Sequence, residues 1–359
     1  MNKWFLLIIF IILISLGVFI FIPKEKIGGI NSVKENKVLP DKIMAVYLTS
    51  WSASNSAKID YIIDLSKKTE INAVVIDVKD WSGKIPYSTN VSLAKKYGAE
   101  RVIIKDMKGL IDKLHNEGLY VIARITVFQD PVLAYNRSDL AIKNLSGGTW
   151  YDYNGLAWID PTKKEGWDYN ISIAKDALSN GFDEVNFDYI RFPSDGNLNN
   201  MNVDFSTERE VLKSFYQYLR SELKGETISA DLFGLTTVNL DGLGIGQVIE
   251  DAYEYFDFVC PMVYPSHYAS GFIGFENPAD HPFEVVAYSM AKAKIRISNY
   301  NSKLRPWLQD FNLGATYDTE KVYLQIKAVK EILTDKYYGY MIWSPTNLYN
   351  EEAIIKGEN

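Results

Sequence analysis

The sequence predicts an α/β fold, a (β/α)8 TIM barrel, preceded by a single N-terminal transmembrane helix. Two patterns carry this: eight β-rich apolar runs alternating with helical patterns, and an uncharged apolar run, WFLLIIFIILISLGVFIFI, at residues 4–22.

The apolar run matches the roughly 20 residues a helix needs to cross a bilayer. A cleaved signal peptide would be shorter and would end in a small-residue site, and the FIPKEK that closes the run and follows it offers neither. Lys24 and Lys26 blur the positive-inside rule, but the short stub before Lys3 and the large C-terminal domain favour the domain outside. The expectation is a signal anchor at 1–22, a polar linker at 23–41 containing Gly28 and Gly29, and a barrel at 42–359 on the extracellular side of the cell membrane.

The strand runs are IMAVYLTSW (43–51), AVVIDVKDW (73–81), YVIARITVF (120–128), DEVNFDYIRF (183–192), TISADLFGL (227–235), DFVCPMVYP (257–265), RPWLQDFNL (305–313) and YGYMIWSP (338–345). Amphipathic segments lie between them, among them residues 103–118, 165–181, 209–225 and 319–336. A doubly wound open sheet would usually carry a Gly-rich phosphate loop after its first strand, and the stretch from Tyr47 to Trp51 is not one. Residues 144–161 are too long for an ordinary connection and rich in Trp and Tyr, which places them over the active face.

A formal charge of -7 without Lys/Arg clusters argues against a nucleic-acid partner. Cys260 is the only cysteine, and His115, His267 and His281 show no ligand spacing, so neither a disulfide, a metal centre nor a cofactor is expected. The 24 Tyr and 8 Trp could supply surfaces on which sugar rings stack, although core packing also uses such rings.

Barrel sites lie at the C-terminal strand ends. Tyr47 is late on strand one. Asp77, Lys79 and Asp80 end strand two, Arg124 and Asp130 lie late in or after strand three, and Asp188 and Arg191 end strand four. Asp231 is on strand five, Tyr264 and His267 follow strand six, and Gln309 and Asp310 close strand seven. Alternation places Asn186 with Asp188 on one face, and Ser229 with Asp231. Two acids across a cleft suit glycoside hydrolysis, one as proton donor and one as nucleophile or base. Asp188 and Asp231 are therefore the expected catalytic pair, with Arg191 holding Asp188 ionised. Tyr47, Asp77, Lys79, Arg124, Arg191, Tyr264, Trp307, Gln309, Asp310 and Trp343 are the expected substrate-binding residues. Of these, Tyr264, Trp307 and Trp343 should form the apolar floor. Salt bridges or turn roles are the competing readings of the acids.

The segments VVIDVKDWSG, IARITVFQDP, DEVNFDYIRFPSDG, ISADLFG, CPMVYPSHY and RPWLQDF, in that order, resemble the bacterial glycosyl hydrolase domain family of (β/α)8 barrels. The resemblance implies a glycosidase-like fold and site. DEVNFDYI at 183–190 is also partly similar to the strand-four D-x-x-D-x-D-x-E pattern of chitinase-like hydrolases, but Ile190 stands at its acid position. That departure makes Asp231 the first choice of proton donor, with Asp310 or Asp77 as substitutes. The expected function is a membrane-anchored extracellular glycoside hydrolase acting on a polysaccharide or oligosaccharide. A non-catalytic carbohydrate-binding barrel is the first rival. An unrelated barrel enzyme such as an aldolase or isomerase is the second; an aldolase would need a Schiff-base lysine, for which only Lys79 is suitably placed, between acids that would raise its pKa.

Overall fold

Alternate side chains of a strand face opposite ways, so a closed ring of parallel strands has an interior and an exterior to fill. The computed structural model describes residues 39–356, and both are filled. The strands are β1 (Ile43–Leu48), β2 (Ala73–Lys79), β3 (Tyr120–Thr126), β4 (Glu184–Asp188), β5 (Thr227–Phe233), β6 (Phe258–Met262), β7 (Lys303–Leu304), β8 (Trp307–Gln309) and β9 (Gly339–Trp343). All pairings are parallel, and β9 pairs with β1 to close the ring. β7 and β8 both pair with β6 and are halves of one stave, broken at Arg305–Pro306, so the barrel has eight staves. Closure depends on Gly339, whose φ is +104° and where a Cβ would fall 1.9 Å from the Ile43 carbonyl oxygen.

Eight helices follow the staves in turn: α1 (Ser56–Lys68), α2 (Met107–Asn116), α3 (Lys164–Ser179), α4 (Glu208–Glu222), α5 (Ile249–Tyr255), α6 (Pro282–Arg296), α7 (Thr319–Leu333) and α8 (Glu351–Lys356). Side-chain caps start several of them, as where Asn55 accepts from the backbone of α1 and Asp318 from that of α7. Outward-facing Val46, Val74, Ile76, Val121, Ala123, Phe187 and Ala230 bury against the helical layer.

The interior is unusually polar for a barrel core. At its lower end Glu184 takes a buried bidentate ion pair from Arg305 and a hydrogen bond from Ser229 Oγ. One layer up, Asn186 reaches Ser229 and Asp231, and above it Arg124 meets Asp77 and Asp188. Glu184, Asn186 and Asp188 are successive inward positions of one strand, so β4 lines the barrel with polar groups from bottom to mouth.

Every strand stops short of the end of its expected run, and two departures have identifiable backbone causes. The fourth run, expected to reach Phe192, ends at Asp188 because Tyr189 adopts a left-handed φ of +52°. The register of β2 against β3 shifts between Asp77 and Lys79, a bulge that reverses the facing of the strand end. Among the described residues no helix is long and apolar enough to cross a membrane, and the expected anchor at 1–22 lies outside them, as does most of the linker at 23–41.

Candidate active site

The register brings Asp77, Arg124, Asn186 and Ser229 side by side across β2 to β5. Arg124 is the hub. Its Nη1 donates to Asp77 Oδ1 at 2.7 Å, its Nη2 donates to Asp188 Oδ2, and its Nε lies 3.7 Å from Asp231 Oδ2 without a hydrogen-bond partner. Burial works against the guanidinium charge, but Asp188 and Asp77 outweigh it and hold Arg124 protonated. Tyr47 donates its hydroxyl to Asp77 Oδ2 at 2.5 Å. Burial raises the Asp77 pKa even so.

The two expected catalytic acids have different surroundings. Asp188 Oδ1 accepts the backbone N–H of Tyr189 at 2.5 Å, so the left-handed turn at Tyr189 aims an amide at the carboxylate. Asp231 is 1% exposed, and its Oδ1 accepts from Asn186 Nδ2 at 2.8 Å and from Trp307 Nε1 at 2.7 Å. Burial first, and then the charge of Asp188, push the Asp231 pKa up to about 8 against the opposing pull of Arg124. One site thus sets Asp188, with its cationic and amide donors, beside Asp231, whose pKa burial raises, an asymmetry of the kind that acid–base hydrolysis uses.

Both acids line a cavity of ≈ 470 Å³ together with Arg124, Arg191, Tyr264, Trp307 and Trp343. Trp343 stacks on Tyr47 at 3.8 Å between ring centroids and meets Trp307 edge-on at 5.8 Å. Half-buried Trp343 therefore offers a braced aromatic surface to the cavity. Gly234 lines the same wall, where a Cβ would fall 2.4 Å from the Met262 carbonyl oxygen.

Other expected residues stand elsewhere. Lys79 is fully buried on the helix side of the wall, paired with Asp130 at 2.6 Å, because the β2 bulge turns it out of the interior. No lysine lines the cavity, which removes the feature on which an aldolase reading rested. Gln309 accepts from Ser266 Oγ at 2.9 Å and donates to the Phe311 carbonyl, bracing the turn after β6. Asp310 accepts the Asn350 backbone N–H, and burial raises its pKa to about 6. Asp77 and Tyr47 lie behind Arg124 rather than on the cavity surface. Arg191 does line the cavity but makes no ion pair with Asp188; the turn at Tyr189 carries it away, and Arg124 takes the role expected of it. Ile190 is fully buried in the core, so the acid position of the chitinase-like pattern does not face the cavity.

Sequence reading missed Tyr189, Phe233, Met262 and Tyr268 on the cavity wall, and Asn186 as a donor to Asp231. Strand parity places Asn186 on the face of Asp188 but not against its partner on the next strand. Nothing local marks Tyr189, an ordinary β-former in a conformation the tertiary structure imposes. The 144–161 segment supplies Asp152, Asn154 and Leu156 to a second cavity beside the first.

A closed parallel barrel with paired acids at the C-terminal strand ends defines a glycosidase-like TIM barrel. Residues 45–349 match the family described as "Putative glycosyl hydrolase domain", and the chain belongs to that family. Among solved structures, a hypothetical protein from Ruminiclostridium thermocellum ATCC 27405 is 37% identical over 52% of this chain and 96% of its own, with a TM-score of 0.49. The alpha-L-fucosidase isoenzyme 2 of Paenibacillus thiaminolyticus is 11% identical with a TM-score of 0.59, covering 88% of this chain and 48% of its own. The spore cortex-lytic enzyme SleL of Bacillus megaterium QM B1551 is 12% identical with a TM-score of 0.53, over 89% of this chain and 75% of its own. The last two share the fold. No curated protein matches the chain.

Proposed function

We propose that the protein is a glycoside hydrolase that cleaves a polysaccharide or oligosaccharide with Asp231 as proton donor and Asp188 as the partner carboxylate. The observation that carries this is the raised pKa of Asp231 beside Asp188 in an aromatic-lined cavity. Its Oδ1 is occupied by two donors, so the acidic proton belongs on Oδ2. Protonating the glycosidic oxygen from there lets the bond to the anomeric carbon break, while Asp188 attacks that carbon or activates a water that does. Arg124 holds Asp188 in place throughout.

The apolar run at 4–22 supports a membrane anchor with the barrel outside the cell, where envelope glycans are the first substrates to test. The test is an activity screen of the full chain against polysaccharides that include envelope glycans. Release of reducing ends that disappears in Asp231→Asn supports the reading. Glycan binding without cleavage across the panel would replace it with a carbohydrate-binding barrel. Protease added to intact cells should release the barrel; protection until lysis would remove the extracellular placement.

A further inference from the structure

Arg191 is 8% exposed and makes no ion pair with a carboxylate among the described residues, although Asp188, Asp195 and Asp152 lie near enough for their charges to act on it. Its guanidinium carbon lies 4.8 Å from the Phe233 ring centroid, 4.9 Å from Trp158 and 5.0 Å from Tyr189, an aromatic sleeve that fixes its plane. Nη1 is committed, donating to the Phe192 carbonyl at 3.0 Å and to Ser194 Oγ at 3.1 Å. Nε and Nη2 make no hydrogen bond to the described residues, so the edge formed by those two nitrogens is free. A desolvated cation with no carboxylate in direct contact is costly, and a bound anion would relieve that cost. Burial lowers the pKa of this arginine against the opposing pull of Tyr189, Asp188, Asp195 and Asp152.

The nearby carboxylates are engaged or set apart. Asp188 is held by Arg124 and the Tyr189 amide. Asp152 accepts from the Asn154 and Leu156 amides and from Trp158 Nε1. Asp195 is half-buried, lines the second cavity with Arg191 and acts on it through its charge, but makes no ion pair with it. That cavity, ≈ 480 Å³, shares Tyr189 and Arg191 with the first, so the arginine stands where the two meet.

We propose that Arg191 receives the carboxylate of an acidic sugar residue at this junction, next to the bond placed between Asp188 and Asp231. This rests on the hydrolase reading for its setting and adds the substrate class. The free Nε/Nη2 edge offers two parallel N–H donors at the spacing of carboxylate oxygens, a match that neither a hydroxyl nor a lysine ammonium reproduces. The net charge of -7 supplies no general attraction for an acidic glycan, so selectivity has to be local.

The test titrates the full-length chain with glucuronate, N-acetylmuramate and their neutral counterparts, glucose and N-acetylglucosamine, following tryptophan fluorescence, to which Trp158 beside the guanidinium contributes. At least one acid is expected to bind about tenfold or more tightly than its counterpart. Arg191→Gln should erase the preference and Arg191→Lys should weaken it. Which acid binds distinguishes a ring-borne carboxylate from one carried on an ether. Acids that bind no better than neutral sugars, or a preference that survives in Arg191→Gln with an unchanged circular dichroism spectrum, would overturn the proposal. If glycans are cut but carboxyl-reduced forms are cut equally well, the hydrolase stands and the acidic substrate falls. If the acids bind through Arg191 and no glycan is cut, the reverse holds.

Discussion

Trp307 donates its indole N–H to Asp231 Oδ1 at 2.7 Å, beside the Asn186 amide on the same oxygen, so Oδ2 carries neither of these bonds. A donor to the ionised form lowers an acid's pKa, so Trp307 tempers a value that burial raises. If protonated Asp231 is the acid, kcat/KM should fall as pH rises through about 8. Trp307→Phe should move that limb to higher pH and lower kcat. A limb that stays in place when the donor is removed would assign it to another group.

Stability carries the same signature. Asp231 is about 3.9 when unfolded and is raised to about 8 when folded, so the native state binds the extra proton between those values. Its contribution is fully present below the unfolded pKa and is lost as pH rises through the folded one. Asp231→Asn removes the titration, so its melting temperature relative to wild type should climb between pH 4 and pH 8. A flat difference across that range would show that Asp231 titrates normally.

Asp188→Asn and Asp231→Asn should each remain folded and bind glycan while kcat falls by about 10²–10⁴-fold, the range general acid–base groups contribute. Circular dichroism and binding isotherms separate loss of chemistry from loss of structure. Wild-type turnover in Asp188→Asn would remove the carboxylate pair.

Lys79 makes the opposite expectation. Lys79→Met leaves Asp130 buried and uncompensated, which should cost about 3–5 kcal/mol of stability, seen as a shifted denaturant midpoint. KM in the surviving folded fraction should stay within twofold of wild type, roughly the scatter of such measurements and far below the tenfold expected of a lost charged contact. A raised KM would bring Lys79 back to the substrate.

Trp343→Ala should weaken oligosaccharide binding by about tenfold, equivalent to the upper range of an aromatic stacking contact. Loss of stability with unchanged affinity would make Trp343 a brace for Tyr47 alone.

The sequence by itself determined the eight staves, the outer helices and the strand ends at which charge gathers, because strand parity and helical periodicity are local properties. It also brought Asp188 and Asp231 to one face, since each is two residues from an inward neighbour, Asn186 or Ser229, that the register sets side by side. Three things were decided only by the tertiary structure. The β2 bulge turned Lys79 outward, a one-residue change that reverses every facing beyond it. The left-handed Tyr189 ended β4 early and left Arg124, not Arg191, paired with Asp188. The raised pKa of Asp231 arises from burial and from the charge of Asp188 on the adjoining strand. Each depends on groups distant in the chain, and local pattern cannot register an energy that exists only once the ring has closed.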